Sequence, residues 1–106
     1  IAGSMAHMLN VEVAGAAAVA GVQIRAAAND DSGRMDLDEI RRLVRTPGPY
    51  SPTPAVIAVE NTHNFCYGPA LPASYTAEVA AIANSTTSSV APHEMSESVR
   101  KRGVDP

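Results

Sequence analysis

Tryptophan is absent from this 106-residue chain, phenylalanine occurs once and tyrosine three times, so aromatic side chains supply only 4% of it. Any core must be built from small aliphatic groups, many of them Ala, and the area buried per residue is expected to be modest. A single cysteine, Cys66, excludes an internal disulfide framework and suits a reducing compartment. The Ala- and Val-rich stretch from Val13 to Ile24 falls well short of the ~20 apolar residues of a membrane span. Basic charge is also scarce: eight Lys and Arg against eleven Asp and Glu leave a formal charge of −3. It gathers only at Arg41, Arg42 and Arg45 and at Arg100, Lys101 and Arg102, where solvated helix faces are explanation enough, so no nucleic-acid footprint is expected. These scarcities leave a single globular unit in the cytoplasm, with no membrane partner.

What is present reads as helix, strand, helix, strand, helix. Glu12 to Ala20 is rich in Ala and free of Pro, which favours a closely packed helix ended by Gly21. Val22 and Ile24 alternate in a short strand over Val22 to Ala27, and Asn29-Asp30-Asp31-Ser32-Gly33 has the composition of a turn. Asp36 and Glu39 have the spacing of a capping box, in which Asp36 accepts from first-turn amides and Glu39 reaches back to its N–H. Leu37, Ile40, Leu43 and Val44 then share one helical face, and Pro47, Pro49, Pro52 and Pro54 stop the helix by Thr46. Ala55 to Val59 is a continuous apolar run, as expected of a parallel strand covered on both faces. Pro72 is placed for a helix start, with Tyr75, Val79, Ile82 and Ala83 as its apolar stripe to about Asn84. Residues 85–106 show no sustained period and many hydroxyls, and a disordered tail is expected there.

The run from Ala55 to Val59 leads directly into Glu60, Asn61, Thr62, His63 and Asn64. In open α/β sheets ligands bind at the carboxyl ends of the strands, so this polar packet is placed where a site would be. His63 and Cys66 stand three apart, but tetrahedral zinc needs three or four ligands and no second pair is spaced to supply them, so no metal site is expected. Cys66 as a nucleophile would need a base beside it.

Three blocks carry a family resemblance: "AHMLNVEVAGAAAVAGVQIR" (Ala6 to Arg25), "GRMDLDEIRRLVR" (Gly33 to Arg45) and "ENTHNFCYGPALPASYTAEVAAIA" (Glu60 to Ala83). In order and spacing they resemble an internal piece of threonine aldolase, within the pyridoxal-phosphate (PLP) β-eliminating lyase superfamily; Glu-Asn-Thr-His-Asn followed by Leu-Pro-x-x-Tyr is the specific part. The resemblance implies an α/β fold, a fragment of the aspartate-aminotransferase-like (fold type I) large domain over residues 1–84. It implies retro-aldol cleavage of threonine or allo-threonine to glycine and acetaldehyde, the cofactor ring absorbing the electrons of the Cα–Cβ bond. His7 would stack on the pyridine ring, and His63 would take the substrate's β-hydroxyl proton, a task suited to an imidazole whose ordinary pKa is ~6.5. Glu60, Asn61 and Asn64, with Glu12, are expected to support the site, and the complete enzyme is expected to be a homo-oligomer. "GSMAHM" resembles the scar of an expression tag, yet His7 stands five residues before Glu12 as the family's block requires, so "MAHM" is read as native sequence.

The departures are specific. Val11 replaces the aromatic residue expected before Glu12, and Ala14 replaces the first glycine of a pair. The His-x-Asp-Gly-Ala-Arg and Ser-Lys-Gly segments expected after Asn84 do not occur, nor does a Gly-Thr phosphate-binding segment before Ile1, and the sole lysine, Lys101, has no matching context. Without a Schiff-base lysine the chain alone is expected to be inactive. Two alternatives stand beside the aldolase reading: another PLP-dependent β-eliminating lyase of the same fold, or a noncatalytic remnant that pairs with a full-length relative.

Overall fold

Two short parallel strands organise the chain: β1 (Ala2–Gly3) pairs with β2 (Ala26–Ala27), Ala2 opposite Ala26 and Gly3 opposite Ala27, in a computed structural model that describes residues 1–44 and 48–87. Between them lie α1 (His7–Asn10) and α2 (Gly15–Ala20); after them come α3 (Leu37–Leu43), a 3₁₀ turn (Asn64–Cys66) and α4 (Ala73–Thr87). The architecture is α/β, with helices alternating with parallel strands, as expected.

The apolar run Ala55 to Val59 is extended and lies against the other side of the β1 segment. The Ile1 nitrogen donates to the Val56 carbonyl (2.7 Å) and the Ala58 N–H to the Ile1 carbonyl (2.8 Å), which is one step of a parallel ladder. It is not a full strand, and it is not covered on both faces. Ile57 packs on the core while Val56 and Val59 are exposed, because no element of the described chain lies over them. The expected strand over Val22 to Ala27 also shortens to its last two residues, with Val22 exposed.

α3 follows its sequence closely. Asp36 caps it, Oδ1 accepting the Glu39 N–H at 2.8 Å, and Ile40 is fully buried. The reciprocal half of the expected capping box is not made. The Asp36 N–H already donates to the Ala28 carbonyl (3.3 Å), so Glu39 Oε2 instead accepts the Ala28 N–H (2.8 Å) and ties the helix to the end of β2. Arg25 closes the other end, Nη1 donating to the Leu43 carbonyl at 3.0 Å, where a cation meets the negative end of the helix.

α4 supplies Tyr75, Val79 and Ile82 to a core completed by Ala27, Met35 and Ile40. The Tyr75 hydroxyl accepts from the Met35 N–H (2.8 Å) and donates to the Met35 carbonyl (3.0 Å), fastening α4 beneath the 29–35 turn. The helix runs three residues past Asn84; the rest of the expected tail, like Arg45 to Pro47, lies outside the described residues.

The helix expected over Glu12 to Ala20 begins only at Gly15, because Val13 and Ala14 adopt positive φ (53° and 58°) and break the chain from α1. None of the α2 residues is buried, so the close packing expected of an Ala-rich helix is absent. Gly21, at φ 63°, ends it as expected. No helix among the described residues is long and apolar enough to cross a membrane.

Candidate active site

Glu60 follows the extended run 55–59, and its carboxylate gathers the residues that the sequence singled out. Oε2 accepts the backbone N–H of His7, first residue of α1, at 2.8 Å; Oε1 accepts the backbone N–H of Asn64 at 3.1 Å. The same Oε2 lies 3.7 Å from Nε2 of His63. One side chain thus joins two segments more than fifty residues apart, and both carry a histidine. Burial would raise the Glu60 carboxyl, but the amides of His7 and Asn64, with the nearby imidazoles of His63 and His7, hold it below the ordinary glutamate value.

His7 is half-exposed, and its Nδ1 is 3.1 Å from Glu12 Oε1. A carboxylate only accepts, so Nδ1 carries the proton and Nε2 is left for another partner. His7, Glu12 and Glu60 line a groove of about 270 Å³ with Ala6, Met8, Ala58 and Val59. His7 therefore stands at this groove with Glu12 in reach of its Nδ1.

His63 is placed differently from a residue delivered to an open rim. It is 1% exposed, it does not line the groove, and neither ring nitrogen has a hydrogen-bond partner among the described residues. The loop that holds it is a 3₁₀ turn: the His63 carbonyl accepts from Cys66 N–H (3.2 Å) and Gly68 N–H (2.9 Å).

Asn61 and Asn64 support this loop in unlike ways. Asn61 Oδ1 accepts the Leu71 N–H (2.8 Å) and the Thr62 N–H (3.0 Å), closing the loop onto the start of α4. Asn64 contributes its backbone N–H to Glu60. Cys66 is buried, with its thiol 3.6 Å from the Asp30 carbonyl; burial, then the negative charges of Asp30, Asp31 and Glu60, push that thiol upward and away from nucleophilic use at neutral pH. Among the described residues no three His, Cys, Asp or Glu side chains converge as a metal would require.

Two contributors escaped the sequence reading. Asp30 Oδ1 accepts from Ser32 N–H (2.9 Å), Ser32 Oγ (2.7 Å) and Arg34 N–H (3.0 Å), which locks the 30–34 turn. Gly33 within that turn is buried against His63. The Asn29–Gly33 stretch announced a turn but not the surface it meets.

The sequence profile of the beta-eliminating lyase family matches residues 1–91. Low-specificity L-threonine aldolase 1 of Arabidopsis thaliana is 33% identical over 85 residues, covering 78% of this chain and 24% of that protein. The uncharacterized protein R102.4 of Caenorhabditis elegans is 31% identical over 83 residues, 78% of this chain and 20% of its own length. The chain thus spans about a quarter or less of the curated relatives it matches. A match over residues 1–91 takes in both histidine segments, the Glu60 carboxylate that joins them and the parallel α/β frame beneath, and the chain accordingly belongs to the beta-eliminating lyase family, of PLP fold type I.

Proposed function

We propose that this chain carries the histidine-bearing segment of a threonine aldolase, which cleaves threonine or allo-threonine to glycine and acetaldehyde. The observation behind the reading is the Glu60 carboxylate, which holds the His7 and His63 segments together beside a groove. The likeness to the A. thaliana aldolase supplies the reaction.

PLP is general to the family, and the residues present fit part of it. The His7 imidazole, oriented by Glu12 at the groove, suits one face of the pyridine ring, and His63 has two ring nitrogens in hand. When bound, the cofactor supplies the electron sink for the Cα–Cβ bond. Partners for its phosphate, pyridine nitrogen and lysine linkage are not among the described residues; Lys101 lies outside them.

His63 takes the β-hydroxyl proton in this reading. Because Glu60 lines the groove and His63 does not, the way from substrate to Nε2 runs past the Glu60 carboxylate, whose charge favours the imidazolium that results. Glu12 holds His7 in one tautomer, and Asn61 and the Asn64 amide keep the loop closed. We further assign the whole protein to the cytoplasm as a homo-oligomer acting on a free amino acid; the single cysteine supports the first, the family likeness the second.

Sequencing the native transcript and its locus across the codons for Ala83 to Pro106 tests this reading. A frame that continues into His-x-Asp-Gly-Ala-Arg and Ser-Lys-Gly is the expected result. A confirmed stop after Pro106, with a product of this size in cells, would transfer the chain to the noncatalytic alternative.

A further inference from the structure

We propose that Gly33 is a positioning residue for His63, and that the Asp30–Arg34 turn is the wall against which that imidazole is set. The inference rests on the reading of His63 as the proton-handling group. Gly33 has φ +80°, a conformation side chains rarely adopt, and it is buried. A Cβ at this position would lie 2.8 Å from His63 Cβ, 3.1 Å from Cγ and 3.2 Å from Cδ2. Those are atoms near the stem of the side chain, which cannot move aside without shifting the whole ring, so the missing methyl group is what admits His63 to its place.

The wall is fixed independently of the histidine. The Gly33 N–H donates to the Asp30 carbonyl (3.0 Å), Asn29 Nδ2 donates to the Gly33 carbonyl (3.1 Å), and Asp30 N–H donates to the Arg34 carbonyl (2.9 Å). Asp30 Oδ1 adds its three contacts from Ser32 and Arg34, and the Cys66 thiol ties the turn to the His63 loop. His63 therefore meets Gly33 along its stem and Glu60 at Nε2, and both neighbours are held by hydrogen bonds of their own.

The test is Gly33→Ala in the full chain, with Gly21→Ala as its control. Gly21 also has a positive φ (+63°), but a Cβ there meets nothing within 4 Å, so the control shares the backbone strain without the contact. Two readouts follow His63 itself: its rate of carbethoxylation by diethyl pyrocarbonate, with half-exposed His7 as the internal reference, and the ring C–H NMR signals with their cross-relaxation to the residue 33 Hα. In wild type His63 should be protected and close to Gly33. In Gly33→Ala its reactivity should rise about tenfold or more, as a local opening would allow, and its ring signals should shift, while Gly21→Ala changes neither. Protection and shifts unchanged in Gly33→Ala, or equal exposure of His63 in Gly21→Ala, would overturn the proposal. Should Gly33→Ala fail to fold, cross-relaxation in wild type decides it: no signal between the His63 ring and the Gly33 Hα protons removes the contact. No readout uses catalysis, so failure of the aldolase reading would be seen separately.

Discussion

Exchanging Glu60 for Gln preserves the length of the side chain but leaves one oxygen where the His7 and Asn64 amides use two. One amide then faces an NH₂ group, and Glu60→Gln should lose about 1–3 kcal/mol in chemical denaturation, with faster hydrogen exchange at those two amides. Undiminished stability with both amides protected would refute the clamp. Tyr75→Phe makes a parallel case. It strips both the N–H and the carbonyl of buried Met35 of their partner, and a loss of about 1–3 kcal/mol is expected in the same measurement. The sequence shows Tyr75 in an apolar stripe and at the end of the Leu-Pro-x-x-Tyr segment but not its hydrogen bonds, since a hydroxyl partner forty residues away leaves no local spacing to read. Cys66 gives a cheaper check at this scale: its raised pKa and burial predict slow alkylation by iodoacetamide at neutral pH in the folded chain and rapid alkylation once unfolded. Equal rates in the two states would contradict its placement.

Among the elements, α3 was the most legible, because its cap, its apolar face and its proline-bounded end are all local signals. Asp36→Ala should cost about 1 kcal/mol of stability in thermal melting. Glu39→Ala acts elsewhere, and should speed hydrogen exchange at the Ala28 amide that Glu39 accepts from. A change confined to the first turn of α3 would restore the capping-box reading. The extended run Ala55 to Val59 was legible as extended and illegible as to cover, since burial depends on what lies over Val56 and Val59 and not on their own sequence. α2 failed at its start for the complementary reason. Ala-rich sequence favours helix everywhere from Glu12 on, but with no side chain buried nothing in the packing fixes where the helix begins.

For the whole molecule, the shifted groups set a pH window. Glu60 and Asp30 sit below their ordinary values, Asp30 chiefly through its Ser32 hydrogen bond, so the unfolded chain binds more protons as pH falls. Their contribution is complete above the ordinary carboxyl values, 4.5 for Glu60 and 3.8 for Asp30, and is lost as pH falls through the depressed ones. Cys66 and Tyr75 are raised by burial, so their contribution is complete below 9.0 and 10.0 and is lost as pH climbs through the raised values. The Ile1 amine is lowered by burial and then by Arg25, so its contribution is complete above 8.0 and fades as pH falls below it. Melting temperatures should therefore fall at both extremes of pH, and Asp30→Asn should shallow the acid side. An acid limb unchanged in that variant would remove Asp30 from the account. The nearness of His7, Glu12, Glu60 and His63 was legible at this scale, because motif spacing preserves identity. The depth of His63 was not, because it packs against Gly33 in a contact made only once the turn folds onto the loop.

The proposed place of Glu60 and His63 in a threonine-cleaving site is tested by acetaldehyde release from L-threonine and L-allo-threonine. The assay uses the whole protein encoded at the locus, loaded with PLP, as wild type and as His63→Asn. Wild type should cleave both, and kcat should be lower by about 10²-fold or more in the variant. Absence of cleavage by wild type, or an unchanged kcat in His63→Asn, would contradict it.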